Sequence, residues 1–233
     1  MASGFRLRVG DTGPVQQSPV TCGSACLTVA RMLVNPAFAR WITTGEGPRG
    51  DAPAGATEQA RFAAYERVVM ARTNGLRGAG GRLNLPWPRA LGTPPWGARA
   101  ELEYGAARRG TTYELRVVRP LRAAALRAAH RTLVDVVADG EPALLYIGSA
   151  TLPRHVTLVL PGDGDRVLDV YDPASGQVTL LDEGRFAGHE LGIAGWDVPW
   201  ITVQPDGLRR VQAFGFSTGI SSASRTSGVS ASA

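Results

Sequence analysis

Residues 16–36 read QQSPVTCGSACLTVARMLVNP, and the fold turns on how this stretch is read. Pro19 and Thr21 interrupt the chain and offer a cap. The spacing predicts a helix from about Cys22 to Val34, closed by Asn35 and Pro36. After the cap its only polar side chains are Ser24, Thr28 and Arg31. These fall at i, i+4 and i+7, on one stripe, and every other position is apolar or tiny. That pattern predicts a helix buried inside a domain, not one lying on its surface.

Outward from this helix, residues 1–15 read as an extended lead-in, with FRLRV (5–9) as a short strand. Residues 42–56 are rich in Gly and Pro and read as a loop. TEQARFAAYERVVMART (57–73) reads as an amphipathic helix started by Thr57 and Glu58. Residues 75–99, GLRGAGGRLNLPWPRALGTPPWGAR, predict an irregular excursion of a kind that is often functional. Its Trp87 and Trp96 either line a groove for an extended chain or pack the loop onto its own domain. From Thr111 the texture changes. TTYELRVV reads as a strand and Pro120 to about Asp139 as a helix, with Pro120 in its first turn. Further strands are predicted at 141–148, 155–160, 166–171, 177–181 and 196–204. The Ser/Gly-rich tail, about 206–233, has too few large apolar residues to pack and is expected to be disordered. A buried helix, a helical and loop-rich middle and then a run of strands predict an α+β domain, about 1–205, on a mostly antiparallel sheet. The middle, about 40–110, reads as an insertion in it.

The totals narrow the function classes. With 44% hydrophobic residues over 233 positions, a substantial core can form. No run of eighteen apolar residues predicts a membrane span. The start, MASGFRLRVGDTG, lacks a secretory apolar region, so the expected location is cytoplasmic. Cys22 and Cys26 are the two cysteines, and neither a second pair nor a His-x₃₋₅-His follows to complete a metal site. All 25 basic residues are arginine. Residues 40–131 carry 16 Arg against 7 acids, whereas 132–205 carry 3 Arg against 11 acids. The asymmetry fits either an anionic partner or two halves that neutralise each other across a fold. No nucleic-acid motif accompanies the arginines, so nucleic acid is not an expected partner.

Counting along one hairpin brings two reactive residues together. Strands 155–160 and 166–171 are joined by PGDGD (161–165). If Leu160 faces Val167, pairs sum to 327 and His155 stands opposite Asp172. Opposed residues on antiparallel strands share a face. A carboxylate there fixes one imidazole nitrogen and frees the other to act as a base. Cys22, at a helix start, meets free N–H groups and a partial positive charge that favour a thiolate. Its own N–H can help hold an oxyanion, and Gln16, six residues upstream, offers a second donor.

This combination resembles the papain-like cysteine peptidases, and among them the bacterial family that removes double-glycine leaders from bacteriocin precursors. The matching residues are Gln16, Cys22, Gly23, Ala25, Cys26 and Leu27 in QQSPVTCGSACL, then RHVTLVL (154–160) and VYDPASG (170–176). The preceding EPALLYIG also looks like the family's strand before its histidine. The resemblance covers about 14–35 and 112–182. It implies a papain-like fold, a Cys22–His155 pair oriented by Asp172, Gln16 as oxyanion donor and a thioester acyl-enzyme. It implies a peptide or protein substrate and requires no metal or cofactor. The spacing from Cys22 to His155 is long for the family, the excess lying in residues 40–110, which do not align with it, and Thr21 stands where an acidic residue is usual.

Each of these residues also has an ordinary reading. Cys26 reads as core, or else as a thiol that resolves an oxidised Cys22. His130 reads as solvated, and His189 as the fallback base. Asp169 should face away from Asp172, three residues on. Gln17 competes with Gln16. Trp87, Trp96, Trp196 and Trp200 read as core or loop anchors. The same triad would serve an amidase or a transglutaminase-like acyl transferase, and the scaffold would also serve a non-catalytic peptide-binding protein.

Overall fold

A computed structural model describes residues 4–47 and 55–207. All of the expected tail from about 206 but its first two residues, and residues 48–54 of the expected 42–56 loop, lie outside the described residues. Helix α1, Cys22–Val34, is followed by α2, Pro36–Thr44, and α3, Glu58–Asn74. Next come α4, Pro95–Glu101, strand β1, Tyr113–Val117, and α5, Ala123–Val137. The remaining strands are β2, Ala143–Gly148, β3, Pro153–Val159, β4, Leu168–Tyr171, β5, Val178–Leu181, and β6, Val198–Pro205, with α6, Glu183–Gly188, between the last two.

The strands form one sheet in the order β1-β6-β2-β3-β4-β5. Every pair is antiparallel. Alternation along β2 assigns its two faces: Leu144 and Tyr146 join one core, Leu145 and Ile147 the other. The first core holds α1 through α4, and the second holds α5 and α6. This is the expected α+β architecture, with the cysteine-bearing helix packed against β3 of an antiparallel sheet. Helix α1 is buried from Cys22 to Ala30, as its near-uniform apolar pattern requires.

Several expectations are corrected. Asn35–Pro36 was predicted to end helical structure, yet Asn35 caps a new helix, its side chain accepting from the Phe38 N–H, with Pro36 in the first turn. Proline needs no N–H partner at that position, so it starts a helix as readily as it stops one. Pro95 does the same for α4 inside the supposed excursion, and the rest of that excursion holds two 3₁₀ turns. FRLRV forms no strand. The isolated bridge in the lead-in pairs Thr12 with Gln177. His130 is 1% exposed rather than solvated. Its Nε2 meets the Leu181 carbonyl at 3.1 Å, and burial pushes its pKa down, so it sits neutral against Phe186.

The chain between α2 and α4 is anchored by buried polar groups. Arg61 extends from α3 to cap the end of α2, donating to the Ile42 and Thr43 carbonyls at 2.7 and 2.9 Å. Asn84 performs the same service for α3, its amide N–H₂ facing the Arg72, Thr73 and Gly75 carbonyls. Helix C-termini leave such carbonyls without intrahelical partners.

Candidate active site

Four segments contribute to the candidate site at the N-terminus of α1. The first is α1 itself, which begins at Cys22. Thr21 precedes it, but its hydroxyl donates to the Ser18 carbonyl at 2.8 Å instead of capping the helix. Cys22 is 4% exposed.

The second segment is the start of β3. The β2–β3 register shifts between Ile147 and Gly148, which leaves Arg154 as an extra residue beside His155. The β2–β6 register shifts one step earlier, leaving Trp200 extra on the other side. A Cβ on Gly148 would stand 2.1 Å from the Leu152 carbonyl, so only glycine fits this corner. Paired bulges bend a sheet locally and re-aim the side chains beside them. His155 lies at this bend and is 6% exposed.

The third segment is the turn after β4. His155 Nε2 and Asp172 Oδ1 are 2.7 Å apart. The observed β3–β4 pairs are Leu158 with Tyr171 and Val159 with Val170. They sum to 329, not the expected 327. Asp172 therefore extrapolates opposite Thr157 and lies diagonal to His155. The slip of two residues preserves which face each side chain takes, whereas a slip of one would have separated them. Asp172 is braced from behind. The Ala174 N–H donates to Oδ1 at 3.0 Å and the Ser175 hydroxyl to Oδ2 at 2.7 Å.

Electrostatics follow from these contacts. Burial by itself pushes the His155 pKa down. The hydrogen bond to Asp172, then the interactions with Cys22, overcome it and raise the value to about 9. Burial would raise the Asp172 carboxyl, but its bonds with His155, Ser175 and the Ala174 N–H hold it below the usual range. With Nε2 committed to Asp172, Nδ1 is the nitrogen left for the cysteine. Cys26 is fully buried, its thiol 3.4 Å from the Val156 carbonyl, and burial pushes its pKa up.

The fourth segment carries Gln16. Its N–H donates to the Pro173 carbonyl at 2.8 Å, which seats it on the Asp172 turn. Gln16 Oε1 is buried without a hydrogen-bond partner among the described residues. The competing Gln17 is exposed and bonds the Val15 carbonyl. His189, the fallback base, adopts a left-handed conformation at the end of α6, which packs on α5 across the sheet from α1. Burial, then the nearby Asp165 and Asp163, push the Asp169 carboxyl up, and the histidine is not among the groups that shift it. Trp200 bonds the Ser149 carbonyl, and Trp87 packs edge-on against Trp96 at 5.0 Å.

Sequence reasoning missed Thr93, Tyr146, Ser175 and Glu66. Thr93 is wholly buried against α1. Its hydroxyl is 3.2 Å from that of Ser24, and its carbonyl accepts from Tyr146 at 3.0 Å. A Cβ on Gly23 would stand 2.6 Å from Thr93 Cβ. The excursion therefore forms one wall of the site. Ser175 was visible inside DPASG, where Asx-type turns recruit hydroxyls. Nothing in the sequence marked the other three.

Among the described residues no group of His, Cys, Asp and Glu could hold a metal ion, and no helix is long and apolar enough to cross a membrane. No protein-family model and no curated protein matches the chain. Several solved chains are similar to it, two of which illustrate the likeness. One is the peptidase domain of Streptococcus ComA, a bifunctional ABC transporter of a quorum-sensing pathway. It is 16% identical over 84% of this chain and 98% of that one, with a TM-score of 0.37. The other is the Pseudomonas avirulence protein AvrPphB, 14% identical over 82% and 96%, with a TM-score of 0.42. With both scores below 0.5, the chemistry must be read from this chain's own geometry.

Proposed function

We propose that this chain is a papain-like cysteine hydrolase acting on peptide bonds, with Cys22 as nucleophile, His155 as acid and base, and Asp172 orienting the imidazole. The observation that carries the reading is the buried imidazole. It is bonded to a braced carboxylate through Nε2, interacts with Cys22, and is basic enough to be protonated at neutral pH. An imidazolium held there balances a thiolate at the head of α1.

The thiolate attacks an amide carbonyl, forming a C–S bond and pushing the carbonyl electrons onto oxygen. The Cys22 N–H and the Gln16 side-chain amide donate to that oxyanion. As the C–N bond breaks, His155 gives its proton to the departing amine. The thioester remains. His155, now neutral, takes a proton from water, which attacks the same carbon, and the C–S bond breaks to release the acid. Asp172 stays ionised throughout and fixes the tautomer.

The test needs no substrate. Alkylation by iodoacetamide is followed against pH in a Cys26→Ser background, with and without His155→Ala. At pH 6 an ordinary thiol, with a pKa of about 8.5, is roughly 0.3% thiolate. Rapid alkylation of Cys22 there, lost with His155→Ala, is the expected result. Slow alkylation indifferent to His155 would remove the ion pair and with it the enzyme. Mass spectrometry of products formed with and without added amines then separates hydrolysis from acyl transfer.

A further inference from the structure

Glu66 lies in the middle of α3 and is 0% exposed. It faces no arginine or lysine within ion-pair distance among the described residues. What faces it is one backbone N–H and one hydroxyl, with the charge of the adjacent Arg67 adding to them. The Gln17 N–H points at both carboxylate oxygens, 3.2 Å from each. The Thr21 hydroxyl stands beside the same carboxylate and the Ser18 carbonyl. Gln17 follows the candidate oxyanion donor, and Thr21 precedes the candidate nucleophile.

Burying a carboxylate without a cation costs several kcal/mol, and an apolar side chain of similar volume would spare that cost. A fold that keeps a carboxyl group there, although burial pushes its pKa up, gains something other than stability from it. The stretch it grips has little else to hold it. The Asp172 turn grips one end, through the Gln16 N–H on the Pro173 carbonyl and the Gly13 N–H on the Gly176 carbonyl. From there to α1, residues 17–21 are secured by the Ser18–Thr21 turn and by Glu66. Gln59, two turns earlier on α3, adds a bond to the Val15 carbonyl at 3.2 Å.

We propose that Glu66 is a positioning residue for the oxyanion corner: its carboxylate, held by α3, fixes the turn at 17–21 and so sets the Gln16 side-chain amide relative to the Cys22 N–H. This rests on the function proposed above. Glu66 touches neither substrate nor reacting atoms and acts through Gln16.

Two probes separate the corner from the nucleophile. Iodoacetamide alkylates a thiolate without forming an oxyanion. An N-acetyl dipeptide aldehyde adds the Cys22 sulfur to its carbonyl carbon, and the oxygen of the resulting hemithioacetal occupies the oxyanion corner. Aldehyde affinity is read as protection of Cys22 from iodoacetamide, across a panel of dipeptides, in the full chain. Glu66→Ala should weaken aldehyde binding about tenfold or more and change the alkylation rate by less than about threefold, within the effect of losing one oxyanion donor. Glu66→Gln, which keeps one acceptor for the Gln17 N–H, should retain most of the affinity. In a Gln16→Ala background, Glu66→Ala should cause no further loss, since both changes remove the same interaction. Equal losses in the two backgrounds, or no loss in either, would overturn the proposal. Should Glu66→Ala fail to fold, the same cycle with Glu66→Gln decides the matter: a smaller loss, abolished by Gln16→Ala, is still required. A wild-type chain whose Cys22 alkylates with His155 dependence but is never protected by an aldehyde would refute the corner and leave the nucleophile standing. Loss of the His155 dependence would refute the function itself.

Discussion

Replacing Asp172 by Asn tests the charge arrangement at its centre. The change keeps the shape of the side chain and an acceptor for the Ala174 N–H, but removes the charge 2.7 Å from the His155 ring. His155 stands at about 9 in the folded chain, against about 6.5 for an ordinary histidine. At 1.36 kcal/mol for each tenfold step, that gap corresponds to roughly 3 kcal/mol. The sign follows from linkage. A folded pKa above the unfolded one gives stabilisation that is complete below about pH 6.5 and lost as pH rises through about 9. The depressed carboxyl of Asp172 is the acid end of the same pair. Its contribution is present above about 3.9, the ordinary value, and lost as pH falls through the folded value. These are one interaction seen from two sides and are counted once. Part of the rise belongs to Cys22, so the share removed with Asp172 is about 2–3 kcal/mol. Urea unfolding followed by tryptophan fluorescence should show Asp172→Asn less stable than wild type by that much more at pH 6.5 than at pH 10. The three histidines make the ring resonances separable by NMR, and the His155 titration should fall well below 9 in the variant. A stability gap that is the same at both pH values, or a His155 midpoint unmoved by the substitution, would show that the carboxylate does not hold an imidazolium.

Gly23→Ala should destabilise, although alanine is the better helix former by about 1 kcal/mol. The new Cβ would stand 2.6 Å from Thr93 Cβ and 2.7 Å from its hydroxyl, and overpacking of this kind costs about 1–3 kcal/mol. Thr93→Gly in the same chain should recover part of the loss, and denaturation showing Gly23→Ala to be stabilising would remove Thr93 from the α1 wall. Asn84→Asp replaces an amide donor that faces three carbonyls with a carboxylate that repels them. The expected loss is about 2–3 kcal/mol, and urea unfolding that finds under about 1 kcal/mol would contradict this account of how α3 ends.

What was legible in the sequence was local pattern. The burial of α1, the Thr57 cap on α3 and most of the strand run each depend on residues within a few positions of one another, and each is present in the structure. The short α6 was missed because six residues carry no periodicity to read. Helix α2 was missed because Asn-Pro is both a stop and a start, and the choice is made by what packs around it. The His155–Asp172 contact was legible for a narrower reason. Strand parity survives an error of two residues, so the wrong register still placed both side chains on one face. Glu66, Tyr146 and Thr93 were not legible, since their roles exist only through partners 49, 53 and 69 residues away. A sequence offers no period or motif at such distances.

These distant partners explain how a loop can present a site as firmly as a strand does. Residues 13–21 have no helix or strand of their own, yet they carry Gln16 and lead into Cys22. Loops ordinarily sample many conformations, and catalytic groups must be held within about half an ångström. Here the loop is clamped between two elements whose sequences the resemblance treats very differently. The Asp172 turn grips it through Pro173 and Gly176 from the sheet side, inside the matched motifs. Helix α3 grips it through Gln59 and Glu66, outside the matched motifs. Thr93, likewise outside them, closes on Gly23. The middle of the chain is therefore a structural part of the site, not an appendage to it. Removing residues 57–99 as a block would strip the loop of one clamp and α1 of its wall, even with Cys22, His155 and Asp172 untouched.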